Sequence, residues 1–339
     1  MDGVHIKINK RKKLEHELLY MNNVYIEEAQ GIPCLKGGCN ISEIFCQFKE
    51  EIQSLLDKHG AIYLPDGNIR NKSEFKEVVG NIIHNVMENN GEHKEIPDIE
   101  GVYNPVTYTS GSELLAHNEN SFNHSWPHHI AFSCQSVPTK GGQTFIADSF
   151  AMFELMESEI VNAFVEKGVK YVRTMGLGVG LDWRIIFNTE EKEVVEEKCN
   201  KQKIKYEWLD DEILQTSAVR PAIVEHPLTK RISWFNQVQH WHTACLDEDS
   251  LSELITMFGK DRLPRQAVFG DGTEIPKDMI ARILNLYTQL SIDVNWKAGG
   301  LILIDNISKA HGRRPYIGAR ELLVMMGNMR TFSNKPNLD

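Results

Sequence analysis

The sequence predicts one domain, a β-sandwich or barrel that carries helical insertions and an N-terminal helical layer. Three observations predict it. Short runs of β-formers broken by Pro and Gly recur at 127–148, 219–235, 300–306 and 320–332. Helical stretches separate them, at about 150–167, 190–202, 249–258 and 277–290. No internal repeat or low-complexity linker divides the chain. Strands so far apart in sequence must pair with one another, so the connections are not those of a doubly wound sheet. Residues 1–20 read as an N-terminal arm and 21–339 as the single domain, with helical insertions at about 150–215 and 246–292.

The arm holds the only basic cluster, Lys10, Arg11, Lys12 and Lys13 with Lys7 nearby. Such a run reads as a solvated face. Asn40 followed by Glu43 has capping-box spacing. Ile44, Phe45, Phe48, Ile52, Leu55 and Leu56 then keep helical spacing up to Gly60, a C-terminal stop. Ala61 to Leu64 reads as a short buried strand, closed by the turn residues Pro65-Asp66-Gly67. Ser73 opens a second helix, with Phe75, Val78, Val79, Ile82, Ile83 and Val86 on one side. The polar stretch from Glu88 to Asp98 has the composition of a loop. Pro276 suits the first turn of the helix over 277–290.

Composition narrows the function classes. With 41% hydrophobic and 25% charged residues over 339 positions, wholesale disorder is excluded. No run of about 18 apolar residues offers a membrane span. The N-terminus MDGVHIKINKRKK lacks the apolar stretch of a secretory signal. The charge sum, 37 − 47 = −10, argues against a nucleic-acid partner. Six cysteines, at 34, 39, 46, 134, 199 and 245, are too few for a disulfide scaffold. Reduced thiols in a cytoplasmic protein are the expectation.

The sharpest local pattern is His117-Asn118-Glu119. On an extended segment residues 117 and 119 share a face, so an imidazole and a carboxylate project together. That pair is two-thirds of a 2-His-1-carboxylate triad, which binds Fe(II) and leaves positions open. The best third ligand is His311, which follows the apolar run Leu301–Ile304 and precedes Gly312-Arg313-Arg314-Pro315. A strand end is a rigid platform for a ligand. Nine residues on, Arg320 opens the apolar run Leu322–Met326. An arginine there needs an anionic partner, either a dicarboxylate co-substrate or a protein carboxylate.

Six separated blocks carry a family resemblance: HNENSFNHSWP at 117–127, GGQTFIADS at 141–149, RPAIVEHP at 220–227, WFNQ at 234–237, FGDG at 269–272 and LIDNISKAHGRRPYIGAR at 303–320. From about Gly60 to the C-terminus the chain resembles the taurine dioxygenase-like (TauD/TfdA) family of iron(II)/2-oxoglutarate-dependent oxygenases. It looks most like the branch of clavaminate synthase-type enzymes and the amino-acid hydroxylases of nonribosomal pathways. The resemblance implies a double-stranded β-helix, a jelly roll open at one end. It implies that His117, Glu119 and His311 bind the metal, and that Thr144 and Arg320 hold the distal carboxylate of 2-oxoglutarate. The spacing from His311 to Arg320 is shorter than is common in the family, which leaves Arg330 as the alternative anchor. The implied chemistry uses O₂: decarboxylation of the co-substrate supplies two electrons and yields succinate and CO₂. Related halogenases leave the carboxylate position empty for chloride, so Glu119 favours hydroxylation or a related oxidation.

Other residues divide between function and packing. His124, His128 and His129 around Ser125-Trp126-Pro127, and the pair His240 and His242, suit packing, substrate contact or a site rim better than a second metal. Arg220, Asn236 and Arg184 are candidate substrate contacts; an ion pair or a backbone-satisfied amide is the competing role of Arg220 and Asn236. Gly176–Gly180 is not a phosphate loop, because no Lys-Ser/Thr follows. The expected substrate is an amino acid, free or tethered to a peptidyl carrier protein. A small sulfonate or carboxylate is the alternative, and a non-catalytic metal-binding barrel and a zinc hydrolase are the competing functions.

Overall fold

Period-2 burial builds the centre of the molecule. In the strand Ser125–Ser136, Ile130, Phe132 and Cys134 point into one core while Ala131 points into another. The neighbouring strand Leu301–Asp305 does the same, with Ile302 and Ile304 on one side and Leu301 and Leu303 on the other. Both faces are covered, which is why the run Leu301–Ile304 is apolar throughout. The computed structural model describes residues 25–29, 32–36, 41–88, 92–105 and 108–332. The basic cluster, Cys39 and Asn40 lie outside the described residues.

An eight-stranded sheet runs in the order Tyr25–Ala29, Ile32–Lys36, Ala61–Leu64, Leu301–Asp305, Ser125–Ser136, Glu321–Thr331, Tyr103–Asn104, Lys94–Glu95. Its pairings are antiparallel except where Cys34 meets Tyr63. A four-stranded sheet lies against it, in the order Ser291–Val294, Thr144–Asp148, Lys309–Arg313, Leu114–His117. Ile146 and Val294 from this sheet pack on Ile130, Phe132, Ile302, Ile304 and Val324 from the larger one. The result is a jelly-roll sandwich rather than a closed barrel. Helices Ile41–Gln47, Lys49–His59 and Lys72–Val79 cover the outer face of the larger sheet. Helices Ser149–Leu155, Ser158–Lys167 and Lys277–Leu290 cover the smaller sheet, through Met152, Phe164 and Ile283 packed with Phe145 and Ala310.

Several elements differ from their sequence expectation. The first helix breaks at Phe48, whose backbone leaves the helical region. The second starts earlier than Ser73, because the Asn71 side chain accepts from the N–H groups of Ser73 and Glu74. It stops at Val79, and Ile82 and Ile83 are buried from the following turn. The two middle segments also contain strands. Val169–Met175, Lys205–Trp208, Leu214–Arg220 and Arg265–Phe269 form a further four-stranded sheet. Their alternation mixes Lys, Arg, Thr and Gln with apolar residues, which hides them beside the helices. Gly60 does end its helix, at φ 75, where its N–H bonds the Leu56 carbonyl.

Gly312 is required by close approach. Its strand is flanked on both sides, and an added Cβ would lie 2.3 Å from Phe145 Cζ and 2.5 Å from the Leu114 carbonyl oxygen. Gly312→Ala should therefore cost about 1–3 kcal/mol of stability by overpacking. Chemical denaturation measures this, and a neutral result would show that the strands can separate without penalty.

Candidate active site and metal centre

His117 and His311 are direct partners across the antiparallel strands Leu114–His117 and Lys309–Arg313. Direct partners project from the same face. Ala116 and Ala310, one residue back, pack into the outer core, so the two histidines face inward. The ring of His311 lies 5.4 Å from that of Phe132 on the opposing sheet and 4.5 Å from that of His117. Glu119, two residues past its strand, brings Oε2 to 3.5 Å from His117 Nε2 and 3.8 Å from His311 Nε2. The three ligand atoms lie within 4.8 Å of one another.

Hydrogen bonding fixes the protonation of this group. His117 Nδ1 lies 2.9 Å from the Leu115 carbonyl. A carbonyl only accepts, so Nδ1 donates to it and Nε2 is the ring atom left to face Glu119. Burial, and then the neighbouring His117, push the His311 imidazole down to about 3, which keeps it neutral. Burial alone would raise the Glu119 carboxyl. The hydrogen bond from His117 and the nearby imidazoles His93, His117 and His311 outweigh it and hold the group far below the carboxylate range. Ligands at about 2.1 Å on one face of a metal sit roughly 3 Å apart, so small adjustments suffice. Two imidazoles and one carboxylate suit a divalent iron.

The second cluster of ligand-type atoms, His128, His129 and Asp305, is also buried. Asn328 accepts the His84 N–H through Oδ1 and donates to the Ile82 carbonyl through Nδ2. Its amide orientation is thereby fixed, and Nδ2 donates to His129 Nδ1 at 2.6 Å. The proton of neutral His129 then sits on Nε2, which cannot ligate a metal. His226 accepts backbone N–H groups at Nδ1 and donates from Nε2 to Asp305 Oδ2 at 2.7 Å. This cluster anchors the loop that follows Asp305.

That loop carries a residue not marked out by sequence. Asn306 is fully buried and holds both backbone groups of Glu119: Oδ1 accepts the Glu119 N–H at 2.7 Å, and Nδ2 donates to its carbonyl at 3.0 Å. Nδ2 also donates to the Pro127 carbonyl, and the Asn306 carbonyl accepts from Asn118 Nδ2. Its signal was only the break of an apolar strand into Asp305-Asn306. His93 is a second such residue, buried in the stretch read as a loop.

Thr144 follows from sheet parity. His311 pairs with Ile146, and Thr144 lies two residues back on the same face. Its hydroxyl accepts from Arg320 Nη2 at 3.2 Å and from Trp296 Nε1 at 3.0 Å. Arg320 also donates from Nε to the Gly142 carbonyl, and burial pushes its guanidinium down to about 10. Arg330 is exposed near the far end of the strand Glu321–Thr331, roughly 30 Å along it. The structure thus joins Thr144 to Arg320 and leaves Arg330 apart.

The candidate substrate contacts need correction. Arg220 is buried, but its guanidinium donates to the carbonyls of Phe122, Gln202, Val219 and Lys203. Asn236 donates to the Ala222 carbonyl and accepts the Val238 N–H. Backbone groups thus take both side chains. Arg184 does line the cavity beside the site, paired with Asp182 and Glu212. That cavity has a volume of about 1190 Å³. His240 forms part of its wall. The His240 ring lies 4.5 Å from that of His117, and both imidazoles donate to the Leu115 carbonyl.

Comparison with known proteins agrees with this geometry. Residues 36–326 match the family described as "Taurine catabolism dioxygenase TauD, TfdA family". The chain belongs to that family and by that membership is an iron(II)/2-oxoglutarate-dependent dioxygenase. It is 33% identical over 290 residues to the dapdiamide synthesis protein DdaC of Enterobacter agglomerans, covering 85% of this chain and 87% of that one. It is 27% identical over 290 residues to a clavaminate synthase-like protein of Arabidopsis thaliana, covering 82% and 84%. Among solved structures, AAD-2 in complex with Mn(II) and N-oxalylglycine superposes with a TM-score of 0.57 at 15% identity, covering 93% and 99%. No helix among the described residues is long and apolar enough to cross a membrane.

Asn306→Ala should weaken iron(II) binding roughly 10–100-fold, because an outer partner that orients a ligand is lost. It should also cost about 1–3 kcal/mol for the buried Glu119 groups left unpaired. Metal titration and denaturation read the two effects, and unchanged affinity would show that Glu119 is held by other means.

Proposed function

We propose that this protein oxidises an unactivated C–H bond of an amino acid or an amino-acid derivative, with His117, Glu119 and His311 as metal ligands. The observation that carries the reading is the convergence of three ligand atoms within 4.8 Å, close to the Thr144–Arg320 pair. The bound iron with 2-oxoglutarate and O₂ supplies the oxidising power, with succinate and CO₂ as co-products. The chain supplies placement. Arg320 gives the far carboxylate of the co-substrate a charged, forked partner, and Thr144 gives it a hydroxyl. An imidazole ligand carries no negative charge, so Glu119 is the only anion among the three. The apolar inner faces of the two sheets keep water from the reacting centre.

Support for an amino-acid substrate comes from the likeness to DdaC, whose name places it in dapdiamide synthesis. A cavity of about 1190 Å³ exceeds the needs of a small free amino acid. It leaves room for an acylated substrate or for the arm of a peptidyl carrier protein.

The test is succinate release over background with amino acids and their derivatives, free and carrier-loaded, together with mass spectrometry of the product. An oxygen added to one of them is the expected result; turnover with a sulfonate alone would overturn the reading. His311→Ala should abolish turnover and leave the fold intact. Arg320→Ala should raise the apparent KM for 2-oxoglutarate about tenfold or more, against a few-fold for Thr144→Ala. Small, equal effects would place the carboxylate elsewhere.

A further inference from the structure

A cross-strand pair of arginines lies in the cavity wall. The strands Val169–Met175 and Arg265–Phe269 are antiparallel, with Arg173 directly opposite Arg265. Like charges so placed are destabilising. One carboxylate, Glu92, meets both: Oε1 lies 2.5 Å from Arg173 Nη1, and Oε2 lies 3.4 Å from Arg265 Nη2. Among the described residues, two guanidinium groups around this one carboxylate leave one positive charge in excess. The side chains of Arg173 and Glu92 are 8% and 10% exposed, whereas that of Arg265 is 40% exposed. The tight pair is therefore Arg173 with Glu92, and the surplus charge is that of Arg265.

The position of this charge matters. Arg265 and Arg173 lie over the ring of Trp241, at 5.2 and 5.9 Å. Trp241 follows His240, whose ring rests against His117. All of them except His117 line the one cavity. A single surplus guanidinium, planar and backed by an indole, matches a monoanion with two coplanar oxygens.

We propose that Arg265, backed by Arg173 and Trp241, is an anion site that receives the carboxylate of a free amino-acid-type substrate. This deepens the functional reading above and rests on it. A thioester on a carrier arm has no such carboxylate, though its phosphodiester is also a monoanion, so the test separates the two.

The first arm of the test needs no substrate. Arg265→Gln should leave the melting temperature unchanged or raise it by roughly 1–2 °C, because it removes repulsion and spares the tight pair. Arg173→Gln should lower it by several degrees. Acetate at 0.1 M, against chloride at the same ionic strength, should raise the wild-type value and not that of Arg265→Gln. A loss of several degrees in Arg265→Gln, or an equal acetate response in both, would overturn the site.

The second arm follows succinate release with each amino acid as the free acid, the primary amide and the phosphopantetheine thioester. The acid should outperform its amide by about tenfold or more, and Arg265→Gln should bring that ratio near one. Equal acid and amide rates in the wild type would overturn the proposal. So would a thioester that outperforms the acid and loses its advantage in Arg265→Gln. Silence from the whole panel would instead sink the amino-acid reading, and the melting shifts alone would then decide the anion site.

Discussion

The antiparallel pairing that sets His117 opposite His311 is the constraint on which the rest depends. It converts residues almost two hundred positions apart into two imidazoles on one face. The same sheet places Thr144 on that face by parity, because Ile146 is the partner of His311 on the other side. The third ligand cannot come from the ladder itself, since Glu119 lies beyond the strand end. A buried polar loop makes up the difference. Asp305 is held by His226 and by two backbone N–H groups, and Asn306 then clasps Glu119 by its N–H and carbonyl. The Asn306 amide and carbonyl are both satisfied, and that is what makes a buried polar residue tolerable beside a metal site.

Much of this was legible in the sequence, for definite reasons. Leu301–Asp305 reads as a strand because both its faces are buried and its run Leu-Ile-Leu-Ile is aliphatic or β-branched. His117 and Glu119 stood out because a period of two puts them on one face. Arg320 stood out because a cation at the mouth of an apolar strand demands a partner. The further sheet was not legible. Strands such as Val169–Met175 place Lys170, Arg173 and Thr174 among apolar residues, and half-buried strands of that kind carry no clean period. Arg220 and Asn236 could not be judged from sequence either. Their roles depend on which backbone carbonyls pass within reach, and that is a tertiary fact. The paired arginines were hidden for the same reason, since register alone brings Arg173 to Arg265.

The site also shows where stability is given up. Glu119 and the two histidines gather polar and charged groups in a buried space. On the cavity wall, two guanidinium groups share one carboxylate. The surrounding cores are well packed and apolar, with Phe145, Phe164 and Trp234 fully buried beside the smaller sheet. That packing is what holds the polar groups of the site in place.

The central claim is that one iron binds at the pairing of these two strands, with the co-substrate anchored at Arg320. Anomalous diffraction at the iron edge, on crystals grown without oxygen with iron(II) and 2-oxoglutarate, tests it directly. The account predicts one peak per chain, bounded by His117, Glu119 and His311, with the far carboxylate of 2-oxoglutarate on Arg320 and Thr144. A peak at His128, His129 and Asp305, or a co-substrate carboxylate resting away from Arg320, would contradict it.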